Sequence, residues 1–153
     1  MKFIKILFTL LLCLVFKSSM AQVGINTIMP LSTLDINGNL SIKTIGIPTA
    51  FVGGSSGNAK AIVDGVYISL TPVATSGISG QEFILPNALT YPGRTYILRN
   101  ISNSVNALIY TFGGALFAKD SSTLTSLPLI LPFNASLKTV IVISDGANWT
   151  YIF

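Results

Sequence analysis

Leu137-Lys138-Thr139-Val140-Ile141-Val142-Ile143-Ser144-Asp145-Gly146-Ala147-Asn148-Trp149-Thr150-Tyr151-Ile152-Phe153 is the stretch whose reading decides the fold. Read with period two, Leu137, Thr139, Ile141 and Ile143 share one face, and Lys138, Val140, Val142 and Ser144 share the other. Residues 144–148 then supply a turn, because Gly and Asn tolerate positive φ and Asp accepts hydrogen bonds from nearby backbone. Trp149, Tyr151 and Phe153 return on alternate positions. The stretch therefore predicts an antiparallel hairpin, and a lone hairpin is too weak to stand without further strands.

Those strands can be read outward from it. Thr95-Tyr96-Ile97-Leu98-Arg99-Asn100 follows the turn residues Tyr91-Pro92-Gly93, and another strand covers residues 105–112 before Gly113-Gly114. A short strand over residues 82–85 is expected to stop at Pro86, with others near Leu116, Leu124 and residues 129–131. Residues 72–80 read as a loop. Asp64-Gly65 between two apolar runs predicts a hairpin with a two-residue turn, or else a bulge in one longer strand. Prolines at 30, 48, 72, 86, 92, 128 and 132 break every stretch long enough for an amphipathic helix. The fold class is all-β, with residues 59–153 forming an antiparallel sandwich, barrel or prism.

Ahead of this module, Gly53-Gly54-Ser55-Ser56-Gly57-Asn58 gives residues 46–58 the composition of a linker or long loop. A phosphate-cradling loop would end in Gly-Lys-Ser/Thr, whereas Asn58 and Ala59 separate this run from Lys60. Residues 22–45 form a separate short β-segment. Leu34 and Ile36 alternate, Asn37-Gly38 signals a hairpin or bulge, and Leu40 and Ile42 resume the alternation. Asp35, Asn37 and Asn39 alternate as oxygen ligands do in a calcium loop, but the sixth and twelfth positions hold Leu40 and Gly46 instead of Gly and Glu. No metal or other cofactor is expected.

The pattern Val23-Gly24-Ile25-Asn26-Thr27, Pro30, then Ser32-Thr33-Leu34-Asp35-Ile36-Asn37-Gly38-Asn39-Leu40 resembles a motif that recurs in bacteriophage tail-fibre proteins and in related secreted bacterial surface proteins. The segments at residues 91–100 and 144–153 resemble the repeated β-modules of such fibres. The resemblance implies a structural or adhesive role and assembly as a homotrimer. Between the motif and Phe153 there is no long shaft and no self-cleaving chaperone domain, so phage-type host recognition is not expected to carry over.

Residues 1–21 read as a secretory signal peptide: Lys2 and Lys5, an apolar run over residues 6–16, and Ser19-Met20-Ala21 before a cleavage between Ala21 and Gln22. A membrane-spanning helix needs about 20 apolar residues, roughly twice this run. Cys13, the only cysteine, lies inside it after Leu11-Leu12, which is not a lipidation context. The chain from Gln22 thus has no thiol for a disulfide, and an extracellular or cell-surface location is expected. Lys2, Lys5 and Lys17 leave with the signal, so six basic side chains face five acidic ones. The basic balance of the whole chain is a property of the targeting segment and gives no reason to expect a nucleic-acid partner.

Charged residues make up 9% of the chain, about a third of the ~25% usual in soluble domains. Isolated β-domains guard their edges with charge or Pro. Scarcity of charge here predicts edges covered by other copies of the chain. Catalysis finds little support: there is no histidine to activate a Ser or Thr, and Asp35, Asp64 and Asp145 are explained by turns. Glu82 and Asp120 remain as the one pair a small hydrolase could use. A carbohydrate-binding module for surface glycan is the alternative to the structural reading, with Tyr91 and Trp149 as candidate stacking aromatics, although Trp149, after a turn on an alternating strand, reads first as a core or interface residue. Arg94 and Arg99 read as surface or subunit contacts, and the Asn-x-Ser/Thr triplets at Asn39, Asn100, Asn134 and Asn148 are given no role.

Overall fold

A computed structural model describes residues 2–5, 23–29, 32–36, 38–47, 49–75 and 78–153. The expected signal-peptide core and Ala21–Gln22 cleavage site, together with Pro30, Asn37 and Pro48, lie outside these. The chain divides into two units, Met1–Ser41 and Ile42–Phe153. Among the described residues no helix is long and apolar enough to cross a membrane.

In the first unit, β1 (Val23–Ile25) and β2 (Leu34–Ile36) pair in parallel, with Val23 opposite Leu34 and Ile25 opposite Ile36. The hairpin expected around Asn37-Gly38 is absent among the described residues, since residues 38–42 carry no strand. The partner of β2 comes from before it instead, and the backbone N–H of Val23 donates to Thr33 at 2.9 Å.

The second unit is mostly strand: β3 (Thr44–Ile45), β4 (Phe51–Val52), β5 (Lys60–Ala61), β6 (Tyr67–Thr71), β7 (Val73–Thr75), β8 (Ile78–Gly80), β9 (Glu82–Asn87), β10 (Thr95–Asn100), β11 (Ala107–Gly113), β12 (Leu116–Ala118), β13 (Leu129–Leu131), β14 (Thr139–Ser144) and β15 (Trp149–Ile152). A larger sheet runs β12-β15-β14-β10-β6-β3, with β4 also on β6, and a smaller one runs β13-β11-β9-β5. The β7–β8 pair, in the stretch read as a loop, forms a small antiparallel ribbon of its own.

The expected purely antiparallel module is corrected by the pairing. β3, β6 and β10 are parallel neighbours in the larger sheet, and β5, β9 and β11 are parallel neighbours in the smaller one. The chain therefore winds, adding a strand to one sheet and then to the other on each circuit. In the two main sheets the antiparallel pairs come late, β13 with β11, β14 with β10 and β15 with β14, while β12 runs parallel to β15. The Asp64-Gly65 turn is neither hairpin nor bulge, because β5 and β6 belong to different sheets and the turn carries the chain between them.

Residues 46–58 are also woven in rather than free. Phe51 and Val52 pair with Leu70 and Thr71, and Gly54 exchanges backbone hydrogen bonds with Glu82 at 2.8 and 3.1 Å. Glycine is required here for close approach: a Cβ on Gly54 would sit 1.8 Å from the Asn58 carbonyl oxygen. Pro86 does not end its strand. Ile84 and Pro86 direct their backbone groups toward the β5 side, and beyond Ile62, whose N–H donates to Ile84 at 2.9 Å, no described strand pairs there.

Alternation places one face of every main strand inward. Ile68 and Leu70, Tyr96 and Leu98, Val140 and Val142 from the larger sheet share a buried cluster with Phe83 and Leu85, Ala107 and Ile109, Leu129 and Leu131 from the smaller one. The last hairpin forms as its sequence predicts, with Val140, Val142 and Ser144 inward and Thr139, Ile141 and Ile143 outward. Its turn is held by Asp145, whose Oδ1 accepts from the N–H groups of Ala147 at 2.7 Å and Asn148 at 2.6 Å. Hydrogen bonds from Asn148 and Ala147 hold its carboxyl below the ordinary aspartate value. A group so depressed stabilises the fold above its unfolded pKa, and that contribution disappears as pH falls through the folded value. On going from neutral pH to about pH 3, the urea midpoint of wild type should therefore fall more than that of Asp145→Asn. Equal losses would show that the turn carboxylate plays no part.

Candidate functional site

The connection from β9 to β10 builds an open concavity. Asn87 Oδ1 accepts from the Leu89 N–H at 3.0 Å and starts a single 3-10 turn, Ala88–Thr90. The Tyr91 N–H closes it on Ala88, and Arg94 donates back to Tyr91, both at 3.2 Å. Gly93 sits between them at φ +74°, a region that an L side chain occupies only with strain. Neighbouring strands pin this connection. Gly93 N–H donates to Ser144 and Ser144 N–H to Arg94, each at 2.9 Å, while Ser144 Oγ donates to the Ala88 carbonyl at 3.0 Å.

On this support, residues Val66 and 90–95 line an open hollow of about 510 Å³. The Arg94 guanidinium lies over the Tyr91 ring, 5.0 Å from its centroid, and 5.9 Å from that of Tyr96. Among the described residues its side chain makes no hydrogen bond and no ion pair. The nearby carboxylate, Asp64, is bound by Lys43. That hydrogen bond, then the one from Gly65 N–H, lowers the Asp64 pKa, and the charges of Lys43 and Arg94 add to it. Burial raises the Tyr96 phenol above its ordinary value, with the Arg94 charge opposing, and its hydroxyl lies 3.4 Å from the Ile62 carbonyl.

No family model, curated protein or solved structure matches this chain.

Of the two candidate aromatics, only Tyr91 is part-exposed beside the hollow. Trp149 is a core residue, and its candidacy as a stacking aromatic is corrected: it is 0% exposed, packs against Tyr96 with centroids 5.9 Å apart, and donates from Nε1 to the Pro86 carbonyl at 3.2 Å. It presents no face on which a ligand could stack. The two-residue spacing of Arg94 and Tyr96 puts them on the same side of one extended segment, but nothing in the sequence places Arg94 over Tyr91.

A second hollow of about 280 Å³ is lined by Ser56, Gly57, Ala59, Glu82, Ile84, Tyr110 and Thr111. Glu82, buried at the start of β9, is the only carboxylate in that lining. Asp120 is exposed and follows β12 at the edge of the other sheet, so the topology does not bring the two together. Among the described residues no group of three or more metal-binding side chains occurs. The calcium-loop residues lie partly outside the described set, since Asn37 is not among them.

Proposed function

We propose that the chain is a secreted, non-catalytic structural or adhesive β-module that works as a homo-oligomer, a trimer by its resemblance to fibre segments, at or outside the cell surface. The observation that carries this reading is the outward face of the larger sheet. In register across it lie Ile152, Ile141, Ile97 and Tyr67, and the next row runs Phe117, Thr150, Ile143 and Thr95. Ile141 is 37% exposed and Ile143 36%. Arg99 is the only charged residue within any strand of that sheet. An apolar row with so little charge around it is the kind of surface that marks association sites. Ile130 and Phe112, exposed on the smaller sheet, point the same way.

Light scattering after size exclusion tests it on the exported protein. The expected mass is three chains at all concentrations used. Ile141→Lys with Ile143→Lys, which places two charges in the middle of the face without touching the core, should convert it to monomer. A wild type that runs as a clean monomer would sink the proposal.

A further inference from the structure

We propose that Tyr91 and Arg94 form a binding site for a carboxylated sugar, of the uronic-acid class, at the strand ends where β9 passes into β10. The site does not rest on self-association and requires no residue of the outward sheet face other than Thr95 at its rim.

Three observations carry it. The first is an arginine that the fold holds in place without using its donors. Its backbone is fixed on both sides by Ser144, and its guanidinium is laid over two rings at 5.0 and 5.9 Å. A planar fork held in advance loses little freedom when it grips a carboxylate with two parallel hydrogen bonds. The second is charge. The hollow's lining contains one cation and no acid, and the neighbouring Lys43 is already bound to Asp64. One unpaired positive charge suits a monoanion; a phosphomonoester dianion would call for a second cation that the lining lacks. The third is shape. The hollow, about 510 Å³, lies within the ~300–1,000 Å³ typical of small-ligand sites, and is too open to enclose an apolar ligand. Part-exposed Tyr91 and exposed Pro92 give a sugar ring something to lie against while its carboxylate reaches Arg94. The hydroxyls of Thr90 and Thr95 line the same wall.

The smaller hollow is a poorer candidate because Glu82 would repel such a ligand. The test is calorimetric titration of trigalacturonate, and of its methyl ester, into the exported protein. Saturable binding in about the millimolar range is expected for the acid, with the ester at least ~10-fold weaker. Arg94→Gln and Tyr91→Ala should each weaken the acid about 10-fold, and Tyr91→Phe should leave it unchanged. Near-ultraviolet circular dichroism of buried Trp149 reports whether each variant is folded. The ester comparison needs no variant, so it decides the matter even if Arg94→Gln does not fold. Absence of saturable binding, equal affinity for acid and ester, or a folded Arg94→Gln that binds as wild type would each overturn the proposal. So would competition by acetate at the same concentration, which would reveal a general anion contact.

Discussion

Replacing Trp149 by Ala should cost about 3–5 kcal/mol, a large share of the ~5–15 kcal/mol that holds a domain of this size. Three losses combine in that figure. Trp149 is the largest of the fully buried side chains, so truncation leaves a cavity that the surrounding strands can only partly close. Its ring contact with Tyr96 disappears, leaving the phenol with less cover. Removing Nε1 also strips the Pro86 carbonyl of its donor at a point where β15 of the larger sheet meets β9 of the smaller one. Trp149→Phe separates these effects: it keeps most of the apolar volume, loses the hydrogen bond, and should cost about 1–2 kcal/mol. Urea unfolding followed by far-ultraviolet circular dichroism measures both, since the chain has no other tryptophan to report by fluorescence. If Trp149→Ala unfolds at the wild-type midpoint, the indole is not a core member.

The strands themselves were largely legible, because each main one alternates and is flanked by turn residues. Residues 95–100 and the hairpin around Asp145 appear where the alternation and the turn chemistry put them. What a period of two cannot convey is the partner. Asp64-Gly65 has the same local chemistry whether the chain folds back beside its own strand or crosses to an opposite sheet, and here it crosses. Parallel pairing needs a long crossover between neighbours, and residues 72–94, between β6 and β10, provide one that reads as separate loops and strands. Glycine is equally ambiguous. Gly53 and Gly54 have the composition of a flexible tether, yet a Cβ on Gly53 would lie 2.5 Å from the Gly80 carbonyl oxygen, so its small size serves packing. The hollow was half visible. Tyr91 stands out beside Pro92-Gly93, whereas the stacking of Arg94 depends on how Ser144, fifty residues later in the chain, fixes the backbone.

Asn100 shows the same limit most sharply, and it carries the second large prediction. In the sequence it is one of four Asn-x-Ser/Thr triplets. In the fold it is 0% exposed and joins three segments. Its Nδ2 donates to the carbonyls of Val105 and Leu131, both at 2.9 Å, and its Oδ1 accepts from the Ser102 N–H at 2.9 Å. β10 of the larger sheet is thereby tied to β13 of the smaller one and to the loop leading into β11. Asn100→Leu keeps the size of the side chain and removes every one of those bonds. The Leu131 carbonyl is left buried without this donor, and the Val105 and Ser102 groups, being part-buried, recover only some of the loss from water. About 3 kcal/mol of destabilisation is expected from these terms together. Asn100→Asp should be worse at neutral pH, because an ionised carboxylate would be buried facing two carbonyl oxygens with no cation in contact. Its folded pKa would then be raised, and protonation restores one donor. The gap between Asn100→Asp and wild type should therefore narrow as the pH falls through that raised value. Urea midpoints for the three proteins at pH 7 and at about pH 5 measure both claims. An Asn100→Leu chain as stable as wild type would mean that apolar burial alone joins the two sheets, and that this hydrogen-bonded clamp is dispensable.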